Sequence, residues 1–234
     1  MLDNRLKSVS EFVDKCNVFM DIGTDHGYLP ISLLENNVIK SAILTDINKG
    51  PLENSKNNVE KFGLANKCKF ILTNGVQGVD CAQHIDVCSI CGMGGEIISE
   101  IIQEGSPVFK SVDSIILQPM TNYLSLKIFL TKSNYTIIDE KIVKDKHLYY
   151  NIIKCRYDEN SNCNFSSIYE LEFFDPLIQR KDMVMFEYLK FRLSKETNIL
   201  NTIIKNANSN SSELIINKER LIKEIKNRLG KYDS

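Results

Sequence analysis

The chain has 234 residues, 43% of them hydrophobic and 25% charged, with 29 Lys+Arg against 30 Asp+Glu. These values exclude wholesale disorder and collagen-like or coiled-coil composition throughout, and the length suits one sizeable domain with a smaller companion. No stretch reaches the roughly 18 to 20 consecutive apolar residues that span a bilayer, and Met1-Leu2-Asp3-Asn4-Arg5-Leu6-Lys7 lacks the apolar core of a signal peptide, so the expectation is a cytoplasmic protein with no membrane partner.

Leu2, Leu6, Val9 and Val13 recur at helical spacing and predict a first helix. A strand follows over 18–22 and ends at Gly23. A helix over 28–35 carries Pro30 in its first turn, where the missing N–H costs nothing. The next strand is 41–46. Pro51 opens a helix that Gly63 stops. Strands are predicted over 69–72, 87–91 and 114–118, with helices over 96–103 and 124–131. Two further strands, 135–143 and 149–155, are close enough to pair as an antiparallel hairpin about Lys144-Asp145-Lys146. Strands alternate with helices, and their apolar runs are short and continuous. That pattern predicts an α/β fold, a doubly wound, mostly parallel Rossmann-like sheet with helices on both faces. The hairpin would add an antiparallel edge.

Composition shifts after Arg156, and the reading divides the chain into domains 1–160 and 161–234. Phe186, Leu189, Leu193, Glu196, Leu200 and Ile203 step by three and four, as do Ile215, Lys218, Ile222, Ile225 and Leu229. Two such seams with a short polar break predict a coiled-coil-like α-helical hairpin, each seam carrying one polar member. Asn210 and Glu213 stand at capping-box spacing before the second helix. Residues 1–155 hold 16 Lys+Arg and 18 Asp+Glu, whereas 176–232 hold 12 and 6, so the basic excess sits at the C-terminal end, where a polyanion could dock.

Seven cysteines, an odd number in a chain of this length, read as free thiols. Cys88 and Cys91 form a CxxC, but they lie on a predicted strand, where positions three apart face opposite ways. Without a second CxxC, and with His26, His84 and His147 scattered, the pair reads as buried core and no metal site is expected.

In an open parallel sheet, ligands bind at the carboxyl ends of the strands. There the sequence puts Asp21-Ile22-Gly23-Thr24-Asp25-His26-Gly27, then Asp46-Ile47-Asn48, Thr73-Asn74-Gly75, Cys91-Gly92-Met93-Gly94-Gly95 and Gln118-Pro119-Met120. Gly23 and Gly27 allow backbone to approach a ligand. The spacing is D-x-G-x-x-x-G, and Asp25 stands where a pyrophosphate nest would want a glycine, so a ligand with an amino group fits better than one with phosphates. Asp46 lies 23 residues after Gly23, where an acid would hold ribose hydroxyls. Asn74 offers an amide to an adenine edge. Amino acid, sugar and adenine together describe S-adenosylmethionine. Each acid could instead be a helix cap.

The block Asp21-Ile22-Gly23-Thr24-Asp25-His26-Gly27-Tyr28-Leu29-Pro30 resembles the D-I-G-S-D-H-A-Y-L-P block of the bacterial tRNA (adenine(22)-N(1))-methyltransferase family, TrmK. Cys91-Gly92-Met93-Gly94-Gly95-Glu96 and Leu117-Gln118-Pro119 are similar to its G-M-G-G and L-Q-P blocks, and Asn4-Arg5-Leu6 to its opening segment. The resemblance covers about residues 1–155 and extends to the C-terminal helices in kind. It implies a class I methyltransferase sheet followed by a helical domain, S-adenosylmethionine as cofactor and tRNA as partner. The family usually continues Q-P-N, where this chain has Met120.

On this reading Asp21, Gly23, Thr24, Asp25, His26, Gly27, Tyr28, Asp46, Ile47, Asn74, Gly75, Gly92, Met93 and Gly94 line the cofactor site. Neutral adenine already carries a lone pair on N1, so transfer needs positioning more than a strong base. The product gains positive charge, which Asp25 would offset. Gln118 and Pro119 would hold the extruded base, with Met120 against it, and Arg5 would grip tRNA phosphates, unless it merely pairs with Asp3. Two rivals stay open: a methyltransferase for a small molecule or protein, and a binding protein that kept the fold without turnover. The oligomeric state stays open too.

Overall fold

The computed structural model describes residues 2–79, 84–161, 167–206 and 212–233. The chain divides into two compact units, Met1–Asn164 and Phe165–Ser234.

The first unit runs α1 (Asn4–Ser10), β1 (Cys16–Ile22), α2 (Tyr28–Glu35), β2 (Ile39–Asp46), α3 (Lys49–Lys61), β3 (Cys68–Leu72), β4 (Val87–Gly94), α4 (Gly95–Glu104), α5 (Ser106–Phe109), β5 (Ser114–Thr121), α6 (Tyr123–Lys132), β6 (Tyr135–Asp145) and β7 (Leu148–Tyr157). Its seven strands form one sheet in the order β3-β2-β1-β4-β5-β7-β6. β1 to β5 are parallel, and β7 pairs antiparallel with both β5 and β6. The chain winds outward from β1 in one direction and outward from β4 in the other. The crevice between β1 and β4 is thus the switch point, where this class of sheet opens a ligand site.

Period-two alternation gives the sheet two cores. Met20, Ile22, Cys88 and Ile90 point to one face, with Ile98, Ile101 and Ile102 of α4 packed on them. Phe19, Leu44, Val87 and Ile116 point to the other, against Leu29, Leu33 and Leu34 of α2. α4 is held by its apolar stripe, because Glu96, Glu100 and Glu104 face water while the three isoleucines are buried. Cys88 and Cys91 fall on opposite faces as the strand reading requires, and burial pushes both thiols above their ordinary range. β4 runs three residues past the predicted end at Cys91. Register shifts against β5 between Cys91, Met93 and Gly94 absorb the glycines that read as a loop.

The second unit holds α7 (Ile168–Glu172), α8 (Asp175–Gln179), α9 (Met183–Lys205) and α10 (Ser212–Asp233). Phe186, near the start of α9, meets Tyr232, near the end of α10, with ring centroids 4.9 Å apart, so the long helices form an antiparallel hairpin. Asp182 caps α9 by accepting the Met185 amide at 2.8 Å. Asn210, half of the expected capping box, lies outside the described residues. Among the described residues no helix is long and apolar enough to cross a membrane.

Candidate active site

An open cleft of about 730 Å³ lies at the carboxyl ends of β1 to β4, and most of the residues picked out at the strand ends line it. Asp21 ends in its floor, 6% exposed, with the Ser89 hydroxyl donating to its Oδ1 at 2.6 Å. Burial, reinforced by the negative charge of Asp46, pushes the Asp21 carboxyl above the usual carboxylate range, and the Ser89 hydrogen bond only partly offsets this. Among the described residues no cation pairs with Asp21. Asp46, also buried, accepts the Asn48 amide on Oδ1 at 2.8 Å. Two neighbouring strands therefore present carboxylates to one cleft.

Gly23, Thr24, Asp25, His26 and Tyr28 line the cleft from the β1–α2 loop. Gly23 has φ +76°, and a Cβ there would come within 2.1 Å of the Met93 methyl, so the glycine admits the β4 methionine as well as any ligand. Asp25 adopts φ +41° and is exposed, its carboxylate 3.4 Å from His26 Nε2. The His26 and Tyr28 rings stack at 5.3 Å. Ile47, Asn74, Gly75, Gly92 and Met93, also expected, line it too. Two expected glycines are not in the lining. Gly27, at φ +68°, would drive a Cβ to 3.2 Å from Ser55 and 3.3 Å from Leu44, so it lets α2 start close against α3 and β2. Gly94 sits in the sheet opposite Thr121.

The acceptor end corrects the sequence reading. Gln118 and Pro119 are buried and do not line the cleft. Gln118 is fully buried, and its Oε1 accepts from Arg5 Nη1 at 2.5 Å and from the Gly92 amide at 3.2 Å. Its Nε2 donates to the Pro119 carbonyl at 3.0 Å and contacts Met120 Sδ at 3.6 Å. The amide is thus spent on holding α1 and the β4 end together. Arg5, expected on phosphates, turns inward instead. It lines the cleft, pairs with Asp3 at 3.5 Å and is fixed by Gln118. Met120 is 45% exposed in the cleft wall.

Sequence reasoning missed Leu6, Ile97 and Ile101, which give the cleft apolar walls. Ile97 is 52% exposed, and that exposure beside a glycine-rich strand end is its one signal, visible only in three dimensions. Far from the cleft, ahead of β4 and β5, His84, Asp86 and Asp113 bring ligand-type atoms within 4.8 Å of one another. Asp86 Oδ2 there already accepts the Asn17 and Val18 amides at 2.8 and 2.6 Å.

Acidic groups for an amino group and a sugar, an amide, and apolar walls for a planar ring suit S-adenosylmethionine. Comparisons agree. The model of the tRNA (adenine(22)-N(1))-methyltransferase family, TrmK, matches residues 19–229. A tRNA (adenine(22)-N(1))-methyltransferase of Bacillus subtilis (strain 168) is 32% identical over 152 residues, which are 65% of this chain and 63% of that protein, just under two thirds of its length. A Streptococcus pneumoniae protein provisionally described as a tRNA (m1A22) methyltransferase and solved with S-adenosyl-L-methionine aligns at TM-score 0.84 and 29% identity, covering 98% of this chain and 100% of that one. M. capricolum TrmK, solved with S-adenosyl-homocysteine, aligns at TM-score 0.81 and 30% identity, covering 99% of each.

Proposed function

This chain belongs to the tRNA (adenine(22)-N(1))-methyltransferase family, and from that premise we infer that it transfers a methyl group from S-adenosylmethionine to N1 of the adenine at position 22 of tRNA. The observation that carries the reading is the pair of buried carboxylates, Asp21 and Asp46, at adjacent strand ends in one cleft. Asp21, buried without a cation, takes the amino group of the cofactor. Asp46, with one oxygen on the Asn48 amide, turns its acceptor capacity to the ribose hydroxyls. Asn74 serves the adenine edge, between the apolar walls of Ile47, Ile97 and Ile101.

Bound in the cleft, the cofactor supplies an electrophilic methyl group on a sulfonium. The protein's share is positioning, because N1 already carries the attacking pair. Met120 packs on the acceptor base, and the exposed carboxylate of Asp25 offsets the positive charge the base acquires. Gln118 acts through Arg5 and the Gly92 amide, as a positioning residue. Cofactor binding belongs to the unit Met1–Asn164, and the helical unit Phe165–Ser234 assists tRNA docking. The work is done in the cytoplasm, with tRNA as partner.

The test is transfer from labelled S-adenosylmethionine to unmodified tRNA, followed by mapping of the methylated nucleoside. 1-Methyladenosine at position 22 is expected. Methylation of a different nucleotide overturns the position, and cofactor binding without transfer to any RNA overturns the enzyme reading.

A further inference from the structure

β5 and β7 stay hydrogen-bonded only as far as the pair Leu117–Ile153. β6 and β7 remain paired beyond it, from Lys141–Ile152 to Asp145–Leu148. Five residues of each strand therefore run on as a two-stranded ribbon without ladder pairs to β5, roughly 17 Å long at about 3.4 Å per residue. The ribbon departs three residues before Met120, which stands in the cleft wall.

Its base is rigid. Val143 and Ile152 are buried in the same core as Val9 and Val13, and Lys141 pairs with Glu11 at 2.6 Å. The Asn151 amide donates to Glu140 Oε1 at 2.9 Å, and Glu140 pairs with Lys127, both side chains being buried. The tip differs in chemistry. Lys144, Lys146 and His147 are exposed, Leu148 is 59% exposed, and the Lys144 ammonium lies 5.6 Å from the centroid of the Tyr149 ring. Lys146 takes φ +56° in a two-residue turn. Asp145 is the one acid between Lys144 and Tyr149. A stiff arm ending in two ammonium groups, an imidazole and an aromatic ring beside the acceptor end of a cleft matches the chemistry of a nucleic-acid strand. Cations meet phosphates, and a ring face meets bases.

We propose that the ribbon tip, Lys144 to Tyr149, is a contact for the tRNA backbone that holds the substrate beside the methyl-accepting end of the cleft. The proposal rests on the tRNA methyltransferase reading above. A solvated turn whose lysines only discourage edge pairing is the alternative the experiment excludes.

The experiment uses the full chain carrying K144A/K146A and, in parallel, K144R/K146R. Affinity for unmodified tRNA is measured over a series of salt concentrations, with cofactor affinity and the KM for tRNA in methylation. Each lost phosphate contact removes about 0.7 to 0.9 from the slope of log affinity against log salt. The alanine variant should thus lose a slope of about 1.5, bind tRNA several-fold more weakly at low salt, and show a raised KM for tRNA. The arginine variant should restore all three. Unchanged cofactor affinity certifies the fold of each variant. If wild type methylates tRNA and the alanine variant matches its affinity and slope, the ribbon proposal is overturned alone. If wild type binds cofactor yet neither binds nor methylates tRNA, the parent reading falls and the ribbon contact with it. Weakened binding that arginine does not restore also overturns the proposal, because a charge contact would survive the exchange.

Discussion

At Asp21, burial and charge pull against each other. The folded chain raises the affinity of this carboxyl for its proton, through burial first and the nearby Asp46 charge besides. A folded pKa above the unfolded one makes the contribution to stability fullest below the unfolded value of about 3.9. It is lost as pH rises through the folded value. Without ligand, Asp21 therefore costs stability at neutral pH, and Asp21→Asn should raise the melting temperature at pH 7 by an amount that shrinks toward pH 4. Asn keeps an Oδ1 to accept the Ser89 hydroxyl, so packing is conserved. If Asp21 holds the amino group of the cofactor as proposed, the same change removes a charge-assisted bond, about 1.5 to 3 kcal/mol, or roughly 10- to 150-fold in affinity. Melting curves over that pH range with calorimetric titration of S-adenosylmethionine would test both halves; a stabilisation independent of pH would refute the account. That Asp21 and Asp46 line the cleft was legible in sequence because both stand at the carboxyl ends of predicted parallel strands, although a helix cap was an equally available use for each. Gln118 was misread because the sequence shows an amide at the acceptor end but not the Arg5 side chain that occupies it.

Among elements, the long helices show how a flaw in a pattern carries information. Glu196 and Lys218 interrupt two otherwise apolar seams, and the structure joins them as an ion pair between α9 and α10. Glu196 is nearly buried and is also approached by Arg192 at 3.4 Å, while Arg192 pairs with Glu172 at 2.6 Å. Seams of Leu and Ile alone tolerate slippage by a turn, whereas a single polar pair penalises every register but one. Glu196→Leu should destabilise more than Lys218→Met, since the first removes the ion pairs to both Lys218 and Arg192, leaving Arg192 with Glu172, whereas the second leaves Glu196 with Arg192. A double-mutant cycle by chemical denaturation should give a coupling of about 1 to 3 kcal/mol; a value near zero would mean that apolar packing alone fixes the register. The periodic helices and the continuous strands were readable from spacing. α5, α7 and α8 were not, because four or five residues are too few to establish a period. The extra length of β4 was hidden for a related reason: Gly92, at φ +79°, and Gly94 look like loop residues, and only pairing with β5 makes them strand.

For the whole molecule, charge separates along the same line as the fold. The window 176–232 has a net charge of +6, but the complete unit from 165 to 234 has 12 Lys+Arg and 10 Asp+Glu, a net of +2. The difference is not idle, because Glu172 and Asp175 are acids ahead of that window that bind Arg192, Arg228 and Lys231. Part of the basic excess thus serves the unit's own packing. Lys181, Lys190, Lys195, Lys223 and Lys226 are exposed and remain to face solvent or RNA. The first unit, 1–164, holds 17 Lys+Arg against 20 Asp+Glu, a net of −3, so its long-range field opposes a polyanion and only local features can attract one. Every residue lining the cleft belongs to that unit. A chain ending at residue 164 should therefore bind S-adenosylmethionine within about threefold of the full chain, well under the roughly 1.4 kcal/mol of a tenfold change. The same chain should bind tRNA more weakly, with a shallower dependence on salt because fewer phosphates are neutralised. Calorimetry reads the first quantity and gel-shift titration at two salt concentrations reads the second. Equal tRNA affinity in the truncated and full chains would assign RNA docking to the sheet unit alone and leave the helical hairpin with a different task; loss of cofactor affinity from a truncated chain that still melts cooperatively would mean that the cleft depends on the helices for its shape.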